Sequence, residues 1–141
     1  MTNSEANEMT ELFNKYSGLD LNEEMTHNEQ TKMTAFGFIN RTETILKEEI
    51  KSRAPTVDLD NLTDKQKTAF QNALIEQMLY VINIGDFTLI SGYDNNSNSL
   101  TDLRELRKRT YSPIAIKILK NSGLLFSGIT NYHYDSDWWR Y

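Results

Sequence analysis

Asp94, Asn96, Asn98 and Glu105 stand at the spacing of a calcium-binding loop, in which alternate oxygen ligands face one cation and a glutamate closes the shell. The turn position of such a loop needs glycine, and here it is Ser99. The loop also needs an entering helix, whereas "FTLISGY" before it has the β-branched and aromatic content of a strand. Asp94 to Ser99 therefore reads as a hairpin tip rather than a metal site. The chain has two histidines, His27 and His133, both in polar or terminal segments. His133, Asp135 and Asp137 could be drawn together as a metal set, but alternate residues in a tail without periodicity give no reason to converge. There is no Ser–His–Asp grouping, phosphate-cradling glycine loop or paired-carboxylate motif. We expect no enzymatic activity, no metal and no cofactor.

Two constellations suit binding better than catalysis. Arg104, Arg107, Lys108 and Arg109 form the one basic cluster. Such a cluster can neutralise nucleic-acid phosphates, or it can be a solvated face that balances acids on a neighbouring subunit, which is the plainer reading. The chain ends in "NYHYDSDWWRY", where Tyr132, Tyr134, Trp138, Trp139 and Tyr141 supply five aromatics in eleven residues. Aromatics are frequent anchors of protein interfaces. We expect this tail to dock on a partner, with packing on its own domain as the alternative.

The elements that must position these groups can be read from composition and period. The chain of 141 residues suggests one domain, and its apolar share of 38% supports a modest core. Part of the chain is then expected to be extended, or to bury itself only against partners. The absence of cysteine excludes disulfides, thiolate metal sites and a thiol nucleophile, and fits a reducing compartment. No apolar run approaches the roughly 20 residues of a membrane span, and the acidic start "MTNSEANEMTELF" is unlike a secretory signal. We expect a soluble product of the cytoplasm. The net charge of −5 divides unevenly: residues 1–64 hold 13 acids and 6 bases, and residues 65–141 hold 7 acids and 9 bases.

Residues 4–16 predict a short amphipathic helix with Met9, Leu12, Phe13 and Tyr16 on one side, ended by Gly18. Residues 20–31 are polar and read as a loop or linker, which makes 1–31 an acidic N-terminal extension. A helix is expected over about 32–53, with Phe36, Ile39, Leu46 and Ile50 as its stripe, Lys51 and Arg53 in its last turn, and Pro55 as its stop. Thr63 and Gln66 then form a capping-box pattern that opens the strongest helix, running to Ile84 with Gly85 as its end. From Ala69 to Ile84, eleven of sixteen residues are apolar, so this helix is core, subunit contact, or both. Phe70, Leu74, Met78 and Val81 mark its buried face. "DFTLISGY" reads as a strand, "DNNSNS" as a loop, and "LTDLRELRKRTY" as either a returning strand or a helical turn. A punctuated helix follows: Ser112 as N-cap, Pro113 at the first position, Ile114, Ala115, Ile118 and Leu119 as an apolar face, Lys117 and Lys120 toward the end, and Gly123 as terminator. Leu124 is placed to fold back onto Leu119. The whole predicts a mainly α fold: a small helical bundle around one long central helix, with a β-hairpin or long loop inserted and an extended C-terminal arm.

The order of signals from Phe70 to Ile129 resembles the head–tail connector, or adaptor, proteins of tailed bacteriophages. The residues that carry it are the helix "AFQNALIEQMLYVINIG", the variable span "DFTLISGYDNNSNSLTDLRELRKRTY", the Ser-Pro-started short helix, and the turn Gly123-Leu124-Leu125-Phe126-Ser127-Gly128-Ile129. The helix over 32–53 also fits. The likeness covers roughly residues 32–130 and is structural, without a catalytic motif.

The resemblance implies assembly rather than chemistry. About twelve copies would form a ring under the portal and extend the DNA channel toward the tail, with closed cyclic symmetry. Residues 32–129 would be the connector domain and 130–141 an arm toward the portal. A tail-side stopper or head-completion protein would be the other partner. Double-stranded DNA would pass without sequence-specific contact, with Arg104 to Arg109 near the channel or a subunit contact. The location implied is the neck of the virion. The competing reading is a small helical DNA-binding or regulatory protein that uses the 104–109 cluster.

Overall fold

The computed structural model describes residues 2–27, 33–84 and 110–125. They form five helices, and no strand occurs among the described residues: α1 (Asn3–Ser17), α2 (Leu21–Thr26), α3 (Ala35–Arg53), α4 (Asp64–Ile84) and α5 (Pro113–Asn121). The fold is mainly α.

Each helix is bounded by local chemistry. Thr2 accepts from the Glu5 N–H to open α1, and Gly18 closes it at φ 76°, donating its N–H to the Asn14 carbonyl. Thr34 caps α3 by accepting from the Gly37 N–H at 3.1 Å, which sets the start at Ala35 rather than at Lys32. On α4 the capping box is reciprocal. The Gln66 N–H donates to Thr63 Oγ1 at 3.1 Å, and the Thr63 N–H donates to Gln66 Oε1 at 3.2 Å. On α5 the Ser112 side chain accepts from the Ala115 N–H at 3.2 Å. Gly123 then turns at φ 82°; its N–H reaches the Lys120 carbonyl, and the Leu124 N–H reaches that of Leu119. This is a Schellman ending, and it buries Leu124 and Leu125 completely.

The residues between α1 and α3 correct the sequence reading. Leu21–Thr26 is a helix and not a linker. Asp20 caps it, accepting from the Asn22 and Glu23 N–H groups. Leu21 and Met25, one turn apart, drop into the core beside Met9 and Phe13 of α1. Two apolar residues in six gave too little period to see, yet they suffice once α1 and α3 offer a site. The core therefore does not break at residue 31, and the acidic N-terminal segment contributes to it.

α4 lies at the centre, packed on α1, α3 and α5. Its Leu74, Met78 and Val81 are fully buried and Phe70 nearly so. On α3 the buried face is Ala35, Phe38, Ile39, Thr42, Leu46, Glu49 and Ile50, a regular helical stripe. Phe36 sits at its edge, half-buried. The polar members of the stripe are accommodated. Thr42 Oγ1 donates to the Phe38 carbonyl at 2.7 Å, and Glu49 meets Arg53 Nε at 3.5 Å, one turn on. On α1, Met9 and Phe13 are buried, whereas Leu12 and Tyr16 lie at the rim, 40% and 50% exposed. The strand, loop and turn expected over 85–109, Gly85 as helix end, and the arm over 130–141 lie outside the described residues.

Candidate functional site

Two features of the described surface are built rather than incidental. The first is the way α4 holds α5. Gln77 is buried among Leu74, Ile75 and Met78. Its Nε2 donates to the Thr110 carbonyl at 2.6 Å, and its Oε1 accepts from the Ser112 N–H at 2.7 Å. One amide thus grips the backbone on both sides of Tyr111. At the other end of α4, Gln66 Nε2 donates to the Ser122 carbonyl at 3.4 Å, while its Oε1 completes the capping box. Gln66 and Gln77 are three turns apart, about 16 Å along α4. Ser112 and Ser122 are separated by nearly the same rise along α5. The match fixes α5 antiparallel to α4 and in one register. Ile116 and Leu119 fill the space between.

The second feature is an apolar groove where α1 meets α3, α4 and the segment before α4. Met9, Leu12, Leu59, Leu62, Phe70 and Leu74 form its apolar lining, and Glu5, Glu8, Glu43, Lys47 and Lys67 its charged rim. Lys47 Nζ stands 3.7 Å from Glu43 across one helical turn. The cleft holds about 240 Å³, below the ~300–1,000 Å³ of small-molecule sites. It suits one or two large side chains.

Two ties outside the groove shift the groups that make them. Tyr16 is raised, chiefly because its hydroxyl donates to Glu76 Oε2 at 2.5 Å, then by burial and by the Glu76 charge. Asp58 is lowered by hydrogen bonds from the Asn61 side chain and the Asp60 N–H. Both are structural ties: the first joins α1 to α4, and the second shapes the turn before α4. Among the described residues no three His, Asp or Glu side chains gather as a metal site, and no described helix is long and apolar enough to cross a membrane.

Of the residues singled out from sequence, Phe70, Leu74, Met78 and Val81 belong to the chain's own core, and Phe70 and Leu74 also line the groove. Arg104, Arg107, Lys108, Arg109, Tyr132, Tyr134, Trp138, Trp139 and Tyr141 lie outside the described residues, as do Asp94 to Glu105 and His133. His27 is exposed at the end of α2. Sequence reasoning missed Gln77 and the second role of Gln66. The signal was present: Gln77 is a single amide inside "LIEQML", where a fully apolar helix would carry another aliphatic residue. No protein-family model, curated protein or solved structure matches the chain.

Proposed function

We propose that this chain is the structural subunit of a phage head–tail connector, assembling as a ring of about twelve copies between the portal and the tail-side stopper. The observation that carries the reading is the polarity of the α4–α5 pair. The span 85–109, with its basic cluster, departs from the C-terminal end of α4 and rejoins at the start of α5, where Gln77 holds it. The aromatic arm departs from the opposite end, beyond the turn at Gly123, beside Gln66. α4 has 21 residues, which places the two departures about 30 Å apart. A subunit that must meet one partner above and another below needs that arrangement. A rigid pair with pinned ends also transmits position between the two partners, which a loose hairpin would not.

The order of elements supports the same reading. In the ring, Arg104 to Arg109 would meet passing DNA phosphates weakly and without sequence preference, since a channel must let DNA slide. The test is native mass measurement of the purified chain, alone and mixed with a portal ring. The expected result is a closed oligomer of about twelve subunits that forms on, or binds to, the portal. A monomer or dimer that ignores the portal and binds duplex DNA tightly, with steep salt dependence, would replace this reading with the DNA-binding alternative.

A further inference from the structure

We infer that the groove between α1, α3 and α4 is the seat of the chain's own C-terminal arm, with Trp138 or Trp139 as the occupant. The inference concerns the arm in the free chain, before it meets a partner, and goes beyond the connector reading.

Three observations lead there. The first is the exit. The Ser122 carbonyl lies 3.4 Å from Gln66, and Lys67 beside it, with Phe70 and Gln71 one turn on, lines the groove. The chain therefore leaves α5 at the end of α4 where the groove begins. The second is reach. Sixteen residues follow Leu125, and Trp138 stands thirteen positions on, up to about 45 Å of extended chain. The groove runs along α4 only from Lys67 to Leu74, about 10 Å. Length does not limit docking, and the arm has slack to enter from either side.

The third is chemistry. The apolar lining includes Leu12, which is 40% exposed beside the core. The cleft is the size of one or two large side chains. The arm offers adjacent indoles followed by Arg140, and the groove offers an apolar floor with Glu5, Glu8 and Glu43 at its edge. An indole seats on the floor while the neighbouring guanidinium meets a rim carboxylate. Asp135 and Asp137, just upstream, have Lys47 and Lys67 within the same rim. Intramolecular docking is also favoured over capture of a separate chain, because the tether supplies a high effective concentration.

The chain has two tryptophans, both in the arm, so indole fluorescence reports on the arm alone. The experiment compares emission wavelength and acrylamide quenching in the full chain, in Leu12→Glu and in Leu62→Glu, over a dilution series. Far-UV circular dichroism checks that each variant is folded. Leu12 is already partly exposed, so its variant tests docking with little risk to the core. The expected result is blue-shifted, quencher-protected emission that does not change on dilution, and a red shift with easier quenching in both variants. A carboxylate under the ring should lower the docked-to-undocked ratio on the order of tenfold. Fully solvated emission in the native chain would overturn the inference. Protection that vanishes on dilution would also overturn it, because the occupant would then be another copy's arm. Protection unchanged in folded Leu12→Glu and Leu62→Glu would mean that the indoles sit elsewhere. These outcomes describe the free chain, and the mass measurement reads portal binding separately.

Discussion

Gln77 carries more of the fold than its size suggests, because one buried amide satisfies two backbone groups. Replacing it with methionine keeps the volume and removes both hydrogen bonds, which leaves the Ser112 N–H without the acceptor it now has. The expected cost is about 2–4 kcal/mol. It should appear as a lower urea midpoint at unchanged slope, since the surface exposed on unfolding is the same. Tyr16 predicts a different signature. Its folded value is raised above the ordinary 10.0, so the fold favours the neutral phenol. The bond to Glu76 therefore contributes stability that is complete below pH 10 and is lost as pH rises through the raised value. The side chain is half exposed, so the effect is small in size but clear in sign. Stability measured against pH should fall on the alkaline side in the native chain, and that component should be absent in Tyr16→Phe.

The helices differ in how far local sequence determined them. The ends of α5 were legible, because Ser112, Pro113 and Gly123 each act on their own backbone and need no distant partner; its buried face was not, since Ile114 is 55% exposed and Ile116 is buried in its place. The capping box at Thr63 and Gln66 was legible for the same reason. Gly123 has φ 82°, where a side chain is strained even though open space surrounds the site. Gly123→Ala should cost about 1 kcal/mol in thermal or chemical unfolding. By contrast, the polar composition of residues 20–31 predicts a linker where α2 forms. Asp20 and Glu23 do form a start signal, but only Leu21 and Met25 are apolar, and their burial depends on surfaces made by α1 and α3. The groove was invisible for a related reason. Its lining comes from α1, α4 and the residues before α4, and no stretch of sequence contains it. Gln77 lay in plain view, but its partners are 33 and 35 positions away.

At the scale of the molecule, one core unites all five helices. An apolar share of 38% suffices because the long helix α4 is covered on several sides. The acidic N-terminal segment is part of that cover. Removing residues 1–27 would strip Met9, Phe13, Leu21 and Met25 from the core and uncover α3 and α4. Each such side chain is worth about 1.5–3 kcal/mol of burial, and the sum rivals the whole stability of a small domain. The truncated chain should lose cooperative unfolding by circular dichroism or aggregate; a sharp, unaltered transition would show that the segment is dispensable.

The grip of Gln77 on Thr110 and Ser112 also has a meaning for how such a chain can vary. Ile84 lies only seven residues past Gln77, about 10 Å along α4, so whatever joins Ile84 to Thr110 starts and finishes nearly at the same place. The entropy of closing such a link changes by only about 0.6 kcal/mol for each doubling of its length. The 25 residues from 85 to 109 can therefore be treated as an exchangeable cassette on a fixed socket. Swapping 86–108 for a glycine–serine linker of about ten residues, long enough to span up to about 34 Å, should leave the melting transition of the helical body nearly in place. A lineage could then rewrite what it presents at that end while inheriting the socket unchanged.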